Sequence, residues 1–438
     1  MVVKKHVMDI NLNINNNMEQ KKIVIVGGGV SGICAATKLV DNGYPGELIT
    51  VIDMGKDPYK RQPEEVMSGF MGCGLWSDGK LTYHTAIGGQ LAKYCGEDKA
   101  MDLMDQVINM VKRFHPKPEA IMYSDPQAEP DFIKPYFGLR LFPVYHIGTD
   151  YLHEIGKAWY QYLVDKGVKF KWNVEVNAID FENDRVLSKS TNDELLHEDR
   201  YDELIFGVGK SGIDFAQALS DQYELPTEPK SVQIGCRFEA PQKYFQKLID
   251  ISYDFKLYQK FDNVSLRSFC TNNNAAYVAV EETYGDVTYN GHAKKGEEFR
   301  NDMTNFGILM EIKGIEDPFK WSRDVVQKLQ SNNTGLYYSP NNTRTPALTS
   351  EGTTVSSVQI STLDTFKESM GVYADYIINF IDDMNKIFDF GDDWGMYIPE
   401  VKYLSPEPLV NYDNLSLTEY PNVHFVGDAL SARGITVS

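Results

Sequence analysis

Three glycines spaced Gly27-x-Gly29-x-x-Gly32 follow the apolar run Ile23-Val-Ile-Val26, and an acid, Asp53, closes the next apolar run. Each glycine permits something a side chain would forbid: a tight turn at Gly27, close approach of a pyrophosphate at Gly29, and close packing of helix on strand at Gly32. Val30 and Ser31 open the helix that follows. The Asp53 carboxylate falls where a ribose hydroxyl would be held, with Met54 beside it. Strand, glycine turn, helix and acid at these distances describe a dinucleotide site, and this stretch alone leaves FAD and NAD(P) open.

Three further glycine-rich segments bear on that choice. Gly69 to Leu81 mixes glycines with Trp76, Ser77, Asp78 and Lys80, so backbone N–H groups approach a polar ligand unobstructed. It is expected across the pyrophosphate and the flavin edge, with Gly79 and Lys80 near the cofactor and Cys73 an inert packed thiol. Gly207, Gly209 and Gly212 repeat the fingerprint spacing. No acid-ended strand follows at the expected distance, which favours a strand returning to the first cofactor over a second, NAD(P)H site. Leu204 stands where a triphosphate-binding loop would begin with glycine. Lastly, Val423 to Ile435 reads as a strand and a polar turn: Gly427 and Asp428 would meet a ribityl hydroxyl, and the backbone at Gly434 and Ile435 the isoalloxazine ring. Segments from both ends of the chain thus converge on FAD.

A second set of polar residues lies between 231 and 400. Val232 to Ala240 alternates as a strand and presents Arg237 and Glu239 on one side. With Cys270, Asn290, His292, Arg300 and Asn305 they form a candidate polar wall, and Arg344 in a later loop is suited to an acidic substrate. A histidine's ordinary proton affinity lies near neutral pH, so His292 suits a base by type. Its residue type fits substrate or flavin hydrogen bonding and an ordinary structural role equally well.

The elements that must position these residues are legible as periods. Lys99 to Phe114 has helical spacing and is stopped by His115-Pro-Lys-Pro. Thr149 or Asp150 caps a helix through Leu152, Ile155, Trp159 and Leu163, on which His153 faces the surface. Val168 to Val176 is extended, with Val176 on the adenine side. Leu266 to Cys270 and Ala275 to Val280 look like strands around a polar turn, Thr271 to Asn274. Asp317 to Leu329 and Phe380 to Phe388 are helical in period. Met54 to Arg61 carries three cations that face either adenosine phosphates or solvent.

The fold expected is α/β: a Rossmann-like FAD-binding domain assembled from N-terminal, middle and C-terminal segments (20–98, 141–230 and 401–438), with a mixed strand-rich substrate domain (231–400). Residues 1–19 read as a flexible extension and 99–140 as a helical and irregular insertion. At 438 residues the chain suits more than one core. The five scattered cysteines lack zinc or C-x-x-C spacing, and no signal peptide or membrane span is legible, so a reduced, cytoplasmic setting is expected. A net charge of −19 disfavours unaided binding of a phosphate backbone, while leaving room for a local basic channel or a modified nucleoside substrate. The acids between Gly371 and Tyr420 form no compact ligand pattern, and no metal site is expected.

The chain resembles the FAD-dependent dehydrogenases of the broad glutathione-reductase-like flavoprotein group. The resemblance rests on Gly27 to Gly32, Gly74 to Leu81, Tyr145-His-Ile-Gly-Thr-Asp150 and Gly207-Val-Gly-Lys-Ser-Gly-Ile-Asp214. It continues through Gly235-Cys-Arg-Phe-Glu-Ala-Pro-Gln242, Tyr289-Asn-Gly-His292 and Gly427 to Ile435. It implies that Asp428, Gly434 and Ile435 lie near the cofactor. Where that family is rich in cysteine and glycine, this chain has Thr271-Asn-Asn-Asn274, which weakens a thiol mechanism. The implied chemistry is hydride transfer between a small substrate and flavin N5. Arg237 or Lys80 would orient anionic groups and His292 would handle the proton; the partners are that substrate and an electron donor or acceptor, with no membrane. Alternatives are reduction of an alkene or imine with NAD(P)H as transient donor, a non-catalytic flavin-binding partner protein, and an FAD enzyme acting on a modified nucleoside or nucleic acid.

Overall fold

The computed structural model describes residues 21–62, 65, 67–77, 79–87, 91–126, 129–228, 232–283, 286–293, 300–330, 334–344, 358–402 and 407–432. The extension 1–19, Asp78, Gly434 and Ile435 lie outside them.

Ile23–Val26 is central in a five-stranded parallel sheet, in the order Val423–Phe425, Glu203–Phe206, Ile23–Val26, Ile49–Asp53, Lys169–Trp172. Parallel strands are covered on both faces, which is why this one is a continuous β-branched run rather than an alternating one. Ile23 and Ile25 pack with Ile33 and Ala36 of the helix Val30–Asp41 and with Trp159 and Leu163 of the helix Leu152–Asp165. Val24 and Val26 face the other way, into a cluster with Val174, Val186, Leu219 and Phe425. That second face is closed by the antiparallel strands Val174–Asp180, Arg185–Ser190 and Leu196–Arg200, which connect Lys169–Trp172 to Glu203–Phe206.

The remaining strands build a mixed eight-stranded sheet. Its order is Gln359–Ile360, Leu336–Tyr338, Gly395–Lys402, Val232–Pro241, Met303–Ile312, Val264–Asn274, Lys256–Lys260, Gly138–Arg140. The last of these comes from within the 99–140 segment. Period 2 divides the faces. Val232, Ile234, Cys236, Phe238 and Ala240 turn toward a core shared with the helices Gln242–Ile249, Pro318–Lys328, Leu363–Met370 and Tyr373–Phe388. Fully buried phenylalanines such as Phe238, Phe245 and Phe306 dominate it, each contributing about 1.5–3 kcal/mol by removal from water. Gln233, Gly235, Arg237 and Glu239 occupy the opposite face.

The polar stretch Thr271 to Asn274 is not a turn. It continues the strand Val264–Asn274 past a register shift between Phe269 and Asn272. At this bulge Cys270 is exposed and takes a left-handed φ of 37°. The amides that would favour a turn in water are here paired in the interior: Asn272 Nδ2 donates to Asn305 Oδ1 at 3.0 Å, and Thr304 Oγ1 donates to Asn273 Oδ1 at 2.9 Å. Among the described residues, no helix is long and apolar enough to cross a membrane.

Candidate functional site

The first glycine turn is held by contacts that admit no side chain. Gly27 has φ +106°, and a Cβ on it would lie 2.4 Å from the carbonyl oxygen of Gly207. A Cβ on Gly32 would lie 2.1 Å from the carbonyl oxygen of Gly27, so helix and strand could not approach as they do. At Gly29 a Cβ would meet nothing within 4 Å: the turn presents open space. The helix Val30–Asp41 starts there with no acidic residue in its first turn and no side-chain cap. Its first N–H groups and the positive end of its dipole are therefore available to an anion.

Asp53 fixes this turn from the next strand. Its Oδ2 accepts from Gly28 N at 2.7 Å, and its Oδ1 accepts from Gly55 N at 2.8 Å and Gly69 N at 2.7 Å. A carboxylate has about four lone-pair sites, so three backbone donors leave acceptor capacity for a hydroxyl. The 67–74 loop then lies across the glycines: Met71 N donates to Gly28 O at 2.8 Å, and Gly29 and Met71 form a parallel bridge. Arg61, expected toward phosphate or solvent, is instead buried beneath this loop, donating to Phe70 O at 2.7 Å and Gly72 O at 2.9 Å. A planar fork whose terminal nitrogens reach several carbonyls at once suits it to pin a loop that has few side chains of its own.

These segments enclose a cavity of about 340 Å³. Its wall includes Gly27, Gly29, Val30, Ser31, Asp53, Met54, Val176, Gly207 and Asp428, brought together from five stretches of the sequence. Gly32 packs behind it. Gly79, Lys80 and Gly427 are not part of the wall. The repeated fingerprint enters through Gly207 to Gly212, whose strand adjoins Ile23–Val26 in the same sheet, so both glycine turns face one cavity. Cys73 also lines it and is exposed rather than packed, because the 3₁₀ turn Gly72–Trp76 sends Leu75 inward instead. His153, expected at the surface, is half-buried against Trp76, with ring centroids 4.3 Å apart.

The polar wall of the second sheet is differently built. Arg237 is 0% exposed and spends its fork on protein. Nε lies 2.9 Å from Glu400 Oε2, Nη2 donates to Glu400 Oε1 at 3.1 Å and to Asn290 Oδ1 at 3.0 Å, and Nη1 donates to Cys270 O at 2.9 Å. Asn305 accepts from Asn272 and donates to Tyr277 O at 2.9 Å. Gly307 leaves the room, since a Cβ there would lie 2.7 Å from Glu400 Oε1. Arg237, Asn290 and Asn305 are thus the joints of a neutralised buried network rather than an open receptor for anions. Glu400 was missed by the sequence reading; its signal was an alternate position on the strand Gly395–Lys402 facing Gly235.

Glu239, two residues along from Arg237, is equally buried. Burial pushes its carboxyl up to about 7, against the pull of Arg344 and the Tyr397 hydroxyl 3.5 Å away. Arg344 itself donates to Asp393 Oδ1 at 2.8 Å. Arg300, expected at the substrate, is an exposed side chain donating to Asp302 at 2.7 Å. The backbone of His292 pairs with Tyr277 in the hairpin Ala276–Thr283 and Asp286–Ala293, and its side chain lies outside the described residues. Lys80, on the short strand Lys80–Thr82, lies 3.8 Å from Asp254 and 5.1 Å over the Tyr253 ring. Although burial opposes it, Lys256 and Lys80 hold the Asp254 carboxyl far below the usual carboxylate range. Among the described residues no group of histidines, cysteines and acids is arranged to hold a metal.

No protein-family model and no curated protein sequence matches this chain. Among solved structures it is similar to the Diels-Alderase PyrE3 of pyrroindomycin biosynthesis, at 11% identity over 93% of this chain and 59% of that one, with a TM-score of 0.39. It is similar to a flavoprotein/dehydrogenase from Cytophaga hutchinsonii, at 10% identity over 93% of this chain and 71% of that one, TM-score 0.38. It is also similar to CmlS, a flavin-dependent halogenase, at 12% identity over 94% of this chain and 54% of that one, TM-score 0.35. The chain therefore spans less than two thirds of the length of the first and third of these. The architecture is a Rossmann-like α/β domain joined to a mixed-sheet accessory region.

Proposed function

We propose that this chain is an FAD-dependent oxidoreductase of the glutathione-reductase-like kind, exchanging a hydride with a small anionic substrate. The observation that carries the reading is the single cavity shared by Gly29, Asp53, the second glycine turn and Asp428. Its parts fit the group. Open space at Gly29 and the uncapped helix start suit a pyrophosphate, Asp53 retains capacity for a ribose hydroxyl, and Asp428, in the turn after the last strand, suits a second polyol. Bound FAD supplies a two-electron acceptor or donor that no side chain provides.

The protein's own share is positioning. Asp53 and Arg61 hold the glycine turn and its covering loop in register, so the backbone donors are set before ligand arrives. Lys80 follows that loop directly and sets its positive charge 3.8 Å from Asp254. His292 is retained as the candidate for moving the substrate proton.

The test is the visible spectrum of the purified protein, with chromatographic identification of the ligand released on denaturation. Flavin absorbance and released FAD support the reading. A protein that binds NADH or NADPH but neither retains nor takes up FAD refutes it. Anaerobic mixing with NADH, NADPH and panels of amines, hydroxy acids and modified nucleosides then sets the direction of electron flow; His292→Ala should slow the substrate half-reaction, and an unchanged rate removes that role.

A further inference from the structure

The face of the eight-stranded sheet turned away from the helices carries an excess of cations. Residues directly opposite each other on antiparallel strands share a face, as do residues two apart. Arg140 is opposite Lys256, Tyr258 is opposite Arg267, and Lys256 and Tyr258 are two apart. All four therefore lie on one face, whereas Leu139, Leu257 and Leu266 between them enter the helix-covered core. Lys402, opposite Gln233, reaches the same face, with its Nζ 3.8 Å from the centre of the Phe269 ring.

The charges are unequally matched. Asp254 takes Lys256 at 2.5 Å and Lys80 at 3.8 Å. Arg140 and Arg267 have no ion pair or hydrogen bond from their guanidinium groups among the described residues. Each stacks on an aromatic ring instead: Arg140 Cζ lies 5.1 Å from the Tyr258 centroid and Arg267 Cζ 4.1 Å from that of Phe269. Gly138 makes this possible for Tyr258, whose ring occupies the space of the missing Cβ, 2.1 Å from where it would stand. Both arginines are half-buried. Burial disfavours the charge on Arg267 and Arg140 adds to that, while Glu311, two residues from Arg267's cross-strand neighbour Leu309 and on the same face, favours it. In a chain with a net charge of −19, two ring-stacked guanidinium groups separated by one strand, neither with an ion pair or hydrogen bond among the described residues, are suited to receive an anion.

We propose that Arg140 and Arg267, with Tyr258 between them, bind the oxyanion group, carboxylate or phosphate, of the small-molecule substrate. This rests on the oxidoreductase reading and moves its anion receptor from Arg237 to the outer strands. Asp254, which pairs with Lys256 beside Tyr258, also lies 3.8 Å from Lys80, three residues past Ser77 of the cavity wall.

The experiment uses the full-length protein as purified, titrated by calorimetry and by thermal shift with benzoate, succinate and inorganic phosphate at low ionic strength. Saturable binding of at least one probe is expected, with Arg140→Gln and Arg267→Gln each weakening it about tenfold or more. Arg267→Lys should lose less, and Arg200→Gln, at an exposed site, nothing. A preference for the carboxylates or for phosphate identifies which oxyanion the substrate carries. If a Gln variant does not fold, competition by sulfate against the probe on the wild-type protein replaces it: displacement supports the site. Absence of binding to wild type up to about 10 mM, or unweakened binding in folded variants, overturns the proposal. Flavin content is measured on the same samples. Retained FAD without anion binding sinks this site alone, while arginine-dependent anion binding in a protein that takes up no FAD sinks the oxidoreductase reading alone.

Discussion

Replacing Glu239 by Gln should change the pH dependence of folding in a defined window. The carboxyl is 0% exposed, one of its oxygens has no hydrogen-bond partner among the described residues, and burial raises it from 4.5 to about 7. A carboxyl raised on folding binds more protons in the folded than in the unfolded state, so stability falls as pH rises. Its contribution is complete below pH 4.5 and is lost progressively as pH climbs through about 7. At about 1.4 kcal/mol per pH unit, the wild-type protein should lose about 3 kcal/mol across that interval through this group alone. The amide of Gln has the same shape and does not titrate. Urea melts of wild type and Glu239→Gln at pH 5, 6, 7 and 8 would give the difference directly, read as the midpoint at constant slope. The two proteins should diverge with rising pH, the variant becoming relatively more stable, and the divergence should level off above about pH 7 to 8. Parallel pH profiles would show that Glu239 is ionised in the folded protein and that an unseen partner meets its free oxygen.

The remaining predictions concern the glycine turn and the buried ion pair. Gly32→Ala places a Cβ 2.1 Å from a backbone oxygen and should cost about 1–3 kcal/mol in denaturant melts. Gly29→Ala meets only open space, so it should keep the wild-type midpoint while losing flavin; equal loss of stability in both would refute the division of roles. Arg237→Met leaves Glu400 buried without its cation and should cost about 3–5 kcal/mol, most of which Arg237→Met with Glu400→Leu should restore. If the double variant is as unstable as the single, the pair is not what the network is built around.

How much of this was legible in the sequence depended on how local the signal was. Gly27 to Asp53 could be read because strand, turn, helix and acid follow one another within a single βαβ unit. The pairing of Gly207 with Gly27 was anticipated only in kind, from a fingerprint with no acid after it; that a Cβ at one would strike the carbonyl of the other is a fact of sheet order. Thr271 to Asn274 was misread because asparagines favour turns in water, and nothing local announced the buried amides of Asn272 and Asn305 that keep the strand going. Arg61, Arg237 and Arg344 all looked like ligand-facing cations by type. Burial and a carbonyl or carboxylate partner decide their use, and those partners, from Phe70 to Glu400, lie at every distance along the chain. Arg140 and Arg267 drew no attention for the same reason: they become neighbours only when Lys256–Lys260 is inserted between their strands.

The order of the parallel sheet also sets a timetable for the nascent chain. Glu203–Phe206 emerges from the ribosome well before its outer neighbour, Val423–Phe425. At roughly 5–20 residues per second, the inner strand waits on the order of ten to forty seconds for its mate. Throughout that interval Phe206 lacks Phe425, whose ring centroid will lie 4.8 Å away, and the strand shows a row of unpaired backbone groups. Such an edge is a template for wrong pairing between chains. Translation speed and chaperone occupancy during that wait should therefore govern the yield of soluble protein more strongly than the stability of the finished molecule does.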